Sequence, residues 1–392
     1  MKKQLALVLA GGGSLGAYEV GAIKALEQLG YHFDIVTGTS IGALNGAFVF
    51  LGETDRLERL WFDITPEKVM VSGTNISKNY IINNKSSILR EYAKWIKEYV
   101  SNGNIGADIT PFKEYVKAGI DLTPKKHSKI KFYVTCSSFP SLKKVNVNMN
   151  EVDDDRFLPY LHASSACFPI FPVETIDDNK YVDGFYNDNL PMKLAIELGA
   201  TDIIAIDMRL FSLDPTDDFF IGLPNVDYIA PYKPLGSMMD FGQDIIRKNM
   251  QLGYWDTMKY FRKMHGFASN IEGDIPDVKF LSFLLEKDRA TSKNIIEEIK
   301  KGVNRPMYEE DYYIRALEIV AENLHIPMTY KKYTYQTFIN AIKKACLRVK
   351  EENESRKMLS RLFSELISDT PLDEFLVDFI DTFILKDTAL LD

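Results

Sequence analysis

The first fifty residues hold the tightest constraint on the fold: a strand, a glycine turn and a helix, written twice in succession. Leu5–Ala10 is a continuous apolar run, the pattern of a strand covered on both faces. Glycines follow, and Ala17–Leu29 then carries Val20, Ile23, Leu26 and Leu29 at helical spacing until Gly30 stops it. Phe33–Val36 predicts a second strand. After Gly38 a second helix runs over Ile41–Leu51 and ends at Gly52. Parallel strands need crossover helices, so this alternation predicts an α/β fold with a parallel sheet. The opening MKKQLALVLAGGG imitates a secretory signal. Its apolar run is too short, no small-x-small site follows, and it is expected to be a buried first strand.

Further along, residues 53–128 read as helices and loops, with a helix over Ser86–Val100 and another opening at Asp108-Ile-Thr-Pro-Phe, Pro111 in its first turn. Strands are expected at Ile130–Cys136, Lys144–Asn148, Lys180–Val182 and Asp202–Asp207, with helices at Phe157–Ala163 and Leu194–Leu198. The α/β pattern then fades. Residues 211–235 read as loop, and from Met238 the chain is largely helical. The expected organisation is a catalytic domain over 1–210, a connecting segment over 211–270 and a helical region over 271–392. The last helix, Leu372–Leu385, has one unbroken apolar face opposite Asp373, Glu374, Asp378 and Asp381. An acidic face has the wrong sign for a helix lying on anionic lipid, which favours packing on the body or on a partner.

Charge and cysteine usage exclude some functions. The 47 basic and 55 acidic residues leave a net charge of −8 with no long basic cluster, so no nucleic-acid partner is expected. Cys136, Cys167 and Cys346 are far apart and lack CxxC spacing, which fits a reducing compartment and no metal site. No apolar stretch reaches the roughly 18 residues of a membrane-spanning helix. A cytoplasmic protein is expected, with peripheral membrane contact left open.

Gly38-Thr39-Ser40-Ile41-Gly42 fits the G-x-S-x-G pattern between a strand and a helix. A nucleophile there occupies a sharp turn whose flanking glycines let strand and helix approach. The helix N-terminus then faces developing negative charge. Ser40 as an ordinary helix cap explains the same residues about as well. Gly11-Gly12-Gly13-Ser14-Leu15-Gly16 matches the dinucleotide pattern, but an acidic residue at the end of the second strand is missing, since GTSIG stands there. There is no Gly-Lys-Ser/Thr of a phosphate-binding loop either. The turn is better suited to presenting backbone N–H groups to an oxyanion beside Ser40.

A serine hydroxyl needs a proton acceptor. His32 lies at the far end of the nucleophile strand, and His162 sits in an apolar helix. His265 and His325 sit at no strand end beside a glycine turn. His127 has no feature that recommends it. Asp183, at a strand end before Gly184, has suitable geometry, though an Asp-Gly turn alone explains the dipeptide. As a base it would need partial burial to raise its affinity for a proton.

Three separated segments, AGGGSLGAYEVGAIKALEQLG, GTSIGALNGA and YVDGFYNDNLP, resemble the patatin-like phospholipases. ASSACFPIFPV (163–173) and LGATDIIAID (198–207) are similar too. The resemblance covers roughly the first 210 residues in the family's order. It implies a patatin-like three-layer sandwich with a mainly parallel sheet, followed by the helical C-terminal region. It also implies a Ser40–Asp183 dyad without histidine, an oxyanion hole from Gly11, Gly12 and Gly13, and hydrolysis of lipid acyl esters with no metal or other cofactor. Two positions depart from the family pattern. Leu15 stands where Arg or Lys is common, and Phe185 replaces the second glycine of Asp-Gly-Gly. Phe219, Phe220, Tyr228, Tyr232, Tyr254 and Trp255 are candidates for an acyl groove or for core. The C-terminal helices leave open a lid, a membrane- or micelle-docking surface, or a homo-oligomer interface.

Overall fold

The computed structural model describes residues 3–71, 107–209, 221, 223–303, 305–352 and 371–385. The helix expected over Ser86–Val100, and Phe219 and Phe220, lie outside them. The chain divides into two compact units, Met1–Thr257 and Met258–Asp392.

The first unit is built on one sheet. Its strands are β1 (Leu5–Leu9), β2 (Ile35–Thr39), β3 (Lys131–Ser138), β4 (Lys144–Asn148), β5 (Glu174–Ile176), β6 (Asn179–Asp183), β7 (Asp202–Ile206) and β8 (Val226–Ile229). Their order is β5-β6-β3-β2-β1-β7-β8, with β4 also paired to β3. β3, β2, β1, β7 and β8 run parallel, whereas β4, β5 and β6 join antiparallel. β1 is central, with Leu7 opposite Val36 on one side and Ile204 on the other, and Ala6–Ala10 are fully buried. That accounts for the unbroken apolar run in its sequence.

The crossover helices are α1 (Ala17–Gln28) and α2 (Ile41–Leu51), followed by α3 (Thr54–Asp63) and α4 (Pro66–Val69). α5 (Thr110–Gly119) opens with Pro111 as expected, and the Asp108 carboxylate accepts from the Thr110 N–H at 2.9 Å. α6 (Asp154–Ser164) and α7 (Met192–Glu197) complete the α/β run. Phe50 of α2 stacks on Phe132 of β3 and on Phe157 of α6, with ring centroids 5.3 and 6.2 Å apart.

Two differences from the sequence expectation follow from pairing. The second strand starts at Ile35 and runs through Gly38-Thr39, because β1 and β3 hold it on both sides. Within 211–235, read as loop, Val226–Ile229 is a strand parallel to β7. Its two middle residues, Asp227 and Tyr228, are only partly covered, so the apolar run that marked β1 is absent. Beyond it, α8 (Gln243–Tyr260) crosses α1 with backbones in contact. A Cβ on Gly21 would lie 1.8 Å from the Met250 carbonyl oxygen, and one on Gly253 would lie 1.9 Å from that of Tyr18. This glycine crossing holds residues past 210 against the sheet unit.

The second unit is mostly helical, with a small parallel pair, Asn270–Glu272 and Lys332–Thr334. Phe280 sits at its centre, with Phe375 and Phe379 at ring-centroid distances of 6.1 and 5.7 Å. The expected last helix runs as Pro371–Phe379 and continues as a wider π turn over Ile380–Leu385. Its aromatic face packs within this unit. Among the described residues, no helix is long and apolar enough to cross a membrane.

Candidate active site

Ser40 stands at the join of β2 and α2 with φ 55° and ψ −125°. For a residue with a Cβ, a left-handed φ of this kind stores on the order of 1–3 kcal/mol of strain. The flanking glycines permit it. A Cβ on Gly38 would meet the Gly42 carbonyl oxygen at 2.6 Å, and one on Gly42 would meet that of Ala10 at 2.5 Å.

The helix-cap reading of Ser40 fails on its hydrogen bonds, since its side chain caps no N–H of α2. Oγ instead donates to Asp183 Oδ2 at 2.7 Å. The Ser40 N–H donates to Ser164 Oγ at 2.8 Å, and that hydroxyl donates on to the Thr135 carbonyl at 2.7 Å. Ser164, a residue the sequence did not single out, thereby ties the elbow to β3.

Strand register brings Asp183 to Ser40. β2 pairs with β3 as far as Thr39 opposite Thr135, and β6 takes the next rung with Asp183 opposite Cys136. β4 occupies the other edge of β3 from Tyr133 to Ser137. β2 and β6 therefore share one edge of β3, run toward each other, and end facing. Gly184 fits this junction because a Cβ there would lie 2.2 Å from the Thr135 carbonyl oxygen. Ser137 Oγ donates to the Asp183 carbonyl at 2.8 Å and fixes the strand end.

The Asp183 carboxylate is 2 % exposed, and its other oxygen accepts the Phe185 N–H at 2.9 Å. Burial pushes its pKa up from 3.8 to about 7, against the opposing pull of the Phe185 N–H and the Ser40 hydroxyl. Such a carboxylate is a competent proton acceptor near neutral pH. Phe185, where the family pattern has glycine, leaves this cap intact and puts its ring in the pocket wall.

The glycine turn lies on the neighbouring strand end. Gly11 departs from the sequence expectation: its N–H is committed to Asn189, with O and Oδ1 each at 3.2 Å, and Asn189 Nδ2 returns a bond to the Gly11 carbonyl at 3.3 Å. The N–H groups of Gly12 and Gly13 have no acceptor among the described residues. Gly13 has φ 57°, and a Cβ there would lie 2.3 Å from the Met238 carbonyl oxygen. Asn189 is a second residue that sequence reasoning passed over, though it lies within the YVDGFYNDNLP segment.

These groups open on a pocket of about 760 Å³ including its mouth, walled by Phe112, Ile170, Phe171, Met238, Met239 and Phe241 among others. Among the described lining residues there is no Lys, Arg or His. Leu15 is buried and supplies no charge there. The aromatic wall differs from the expected one, for Tyr228, Tyr232, Tyr254 and Trp255 are not among its residues. Trp255 is core, and Tyr254 donates to Gln28 Oε1 at 2.6 Å. His162 is buried beside Phe112, with ring centroids 6.0 Å apart. Burial, with the Lys113 charge nearby, pushes its pKa down to about 4, and its Nδ1 has no partner among the described residues. Among the described residues no cluster of three metal-ligating side chains occurs.

A strained serine at a strand–helix elbow, bonded directly to a buried aspartate beside a glycine turn, is a nucleophile-elbow arrangement on an α/β sheet. Comparison with known proteins agrees. Residues 7–196 match the model described as patatin-like phospholipase. Lysophospholipase NTE1 of Mycosarcoma maydis is 27% identical over 213 residues, which is 54% of this chain and 10% of that protein. Neuropathy target esterase sws of Drosophila melanogaster is 24% identical over 324 residues, 77% of this chain and 18% of that protein. The chain thus spans only a tenth to a fifth of the length of these relatives. Among solved structures, VipD from Legionella pneumophila aligns with a TM-score of 0.44 at 13% identity, covering 97% of this chain and 90% of that chain.

Proposed function

We propose that this protein is a serine acyl hydrolase that cleaves fatty-acyl esters of phospholipids or lysophospholipids through Ser40 and Asp183. The observation that carries the reading is the 2.7 Å bond from Ser40 Oγ to a buried carboxylate whose pKa is raised to about 7. In the first step Asp183 takes the Ser40 proton as Oγ bonds to the ester carbonyl carbon, and the carbonyl oxygen becomes an oxyanion. The Gly12 and Gly13 N–H groups are its donors, and each is worth about 3 kcal/mol of barrier. Collapse breaks the ester C–O bond, and the proton passes from Asp183 to the leaving alcohol. Water then loses a proton to Asp183 as it attacks the acyl-Ser40 carbonyl, and Asp183 returns that proton to Ser40 Oγ as the acyl C–O bond breaks and the fatty acid leaves. Substrate class is supported by the apolar wall of the pocket and by the lysophospholipase relatives.

The test is a lipid panel hydrolysed by wild type and by Ser40→Ala and Asp183→Asn, with products identified by mass spectrometry. Free fatty acid and lysolipid or glycerophosphodiester are expected from wild type, with at least a ~10³-fold loss in either variant. Full activity in either variant sinks the dyad. Hydrolysis confined to water-soluble esters sinks the lipid assignment.

A further inference from the structure

A second hollow lies directly behind the candidate active site and has no part in the chemistry above. Counting the open space at its mouth, it occupies about 340 Å³ between α2, α3 and α5, and its wall includes Leu44, Phe48, Leu57, Leu60 and Trp61. Ile41 and Phe112 line both this hollow and the Ser40 pocket, one residue and one ring forming the partition between them. Ile41 is the residue next to Ser40, so the hollow begins within a side chain's reach of the acylated oxygen.

Among the described residues its wall carries no charged side chain. The two polar groups within it are already bonded, Trp61 Nε1 to Asn45 Oδ1 at 3.0 Å and Tyr115 OH to the Leu60 carbonyl at 2.6 Å. It therefore offers nothing to an ordered water, which needs two or more polar partners. Protein interiors are close-packed, so the apolar side chains that face this hollow gain contacts when something apolar covers them. An occupant that reaches it from Ser40 must be apolar, slender and able to pass Ile41 and Phe112.

We propose that this hollow binds the distal part of a fatty acyl chain whose carbonyl is held at Ser40, with Ile41 and Phe112 as the passage it threads. The proposal rests on the hydrolase reading for the identity of the chain, and on the shared Ile41–Phe112 wall for its position. The Ser40 pocket then holds the carbonyl end of the chain, and the hollow sets how much chain length is rewarded. Each buried methylene improves transition-state binding by about fourfold until the hollow is full. Leu60, which is only half-buried on α3, is where the depth can be changed with the least disturbance of core packing.

The experiment compares kcat/KM for p-nitrophenyl esters from butyryl to palmitoyl in wild type, Leu60→Trp and Leu60→Ala, with cis-parinaric acid binding measured in parallel. Thermal melts establish that each variant is folded. In Leu60→Trp the long-to-short ratio of kcat/KM falls at least tenfold and parinarate binding weakens by a similar factor. In Leu60→Ala the optimum moves to longer chains. A merely structural role for Leu60 would scale all esters alike. Chain-length profiles that superimpose on wild type in both variants overturn the proposal. If no ester is hydrolysed, yet parinarate binds and Leu60→Trp weakens it, the hydrolase reading fails and the acyl site stands. Parinarate binding indifferent to both variants overturns the site whatever the esters do.

Discussion

Ser40 and Asp183 were visible in the sequence to different degrees, and the reason is physical. A nucleophile elbow is a local device, so its glycines at 38 and 42 sit within the five-residue pattern that the backbone approach demands. The bond to Asp183 is long-range, fixed by rungs 135 and 136 of β3, and nothing within the Asp-Gly dipeptide encodes it. Without the family resemblance, an ordinary turn explained that dipeptide. Asn189 was hidden for the same reason, since its partner is Gly11, 178 positions away. The raised pKa of Asp183 gives two outcomes. As the base must be ionised, kcat/KM should climb with pH and level off above an inflection near about 7, whereas a flat profile below that value would exclude this carboxylate as the base. Stability moves the opposite way. The folded pKa of about 7 lies above the reference 3.8, so between them the folded state keeps a proton that the unfolded chain has released. Stability therefore falls as pH rises through that window, and the penalty is complete above it. Asp183→Asn, which cannot ionise, should be more stable than wild type by about 4 kcal/mol on the alkaline side, a gain that vanishes below the reference pKa. Urea unfolding at both ends of the range measures it, and a variant less stable at alkaline pH would show that burial does not strain this group.

At the scale of elements, strands buried on both faces and helices beside glycines were legible, because period and punctuation survive in a single sequence. β8 was not, since half of its residues are only partly covered and its pattern blends with loop. The α1–α8 crossing was not either: Gly21 and Gly253 mean something only as a pair. Glycine placement makes the element-scale expectation sharp. Gly42→Ala pushes a methyl into the Ala10 and Leu9 carbonyl oxygens, at 2.5 and 2.6 Å, and neither backbone atom can swing aside. A loss of about 3 kcal/mol is expected, together with misplacement of Ser40, read by chemical unfolding and by phosphonate labelling. Wild-type values for both would mean the strand–helix approach is looser than the distances state. In the second unit, Phe379 stacks on Phe375 at a ring-centroid distance of 6.0 Å and lies tilted against Phe383 at 5.2 Å, besides its contact with Phe280. Phe379→Ala should cost about 3 to 5 kcal/mol in that unit, and a silent substitution would detach the last helix from this core.

For the whole molecule, every group assigned to the reaction belongs to the first unit: Ser40, Asp183, Asn189, the glycine turn and the pocket wall out to Phe241. The sheet is complete there as well, its last strand ending at Ile229. The second unit has a separate core around Phe280. It also holds a buried polar knot in which Glu318 accepts from the Phe267 and Ser269 N–H groups at 2.7 and 2.8 Å, while Lys259 Nζ donates to the Phe267 carbonyl at 3.1 Å. A unit with its own core is a candidate for independent folding. The cut must respect α8, because Gly253 seats that helix on α1 while its end, Tyr260, lies past the division at Thr257. A fragment of residues 1–260, ending with the helix, should be soluble, show mixed α/β circular dichroism and label at Ser40 with a serine-directed phosphonate. Its labelling rate should lie within about threefold of the full chain, since the elements that hold Ser40 and Asp183, namely β2, β3, β6, α2 and Ser164 of α6, all lie in the first unit. Failure to label while the full chain labels, in a fragment that is folded by circular dichroism, would mean that the second unit completes the site. An unfolded fragment would mean that the sheet unit depends on it for stability.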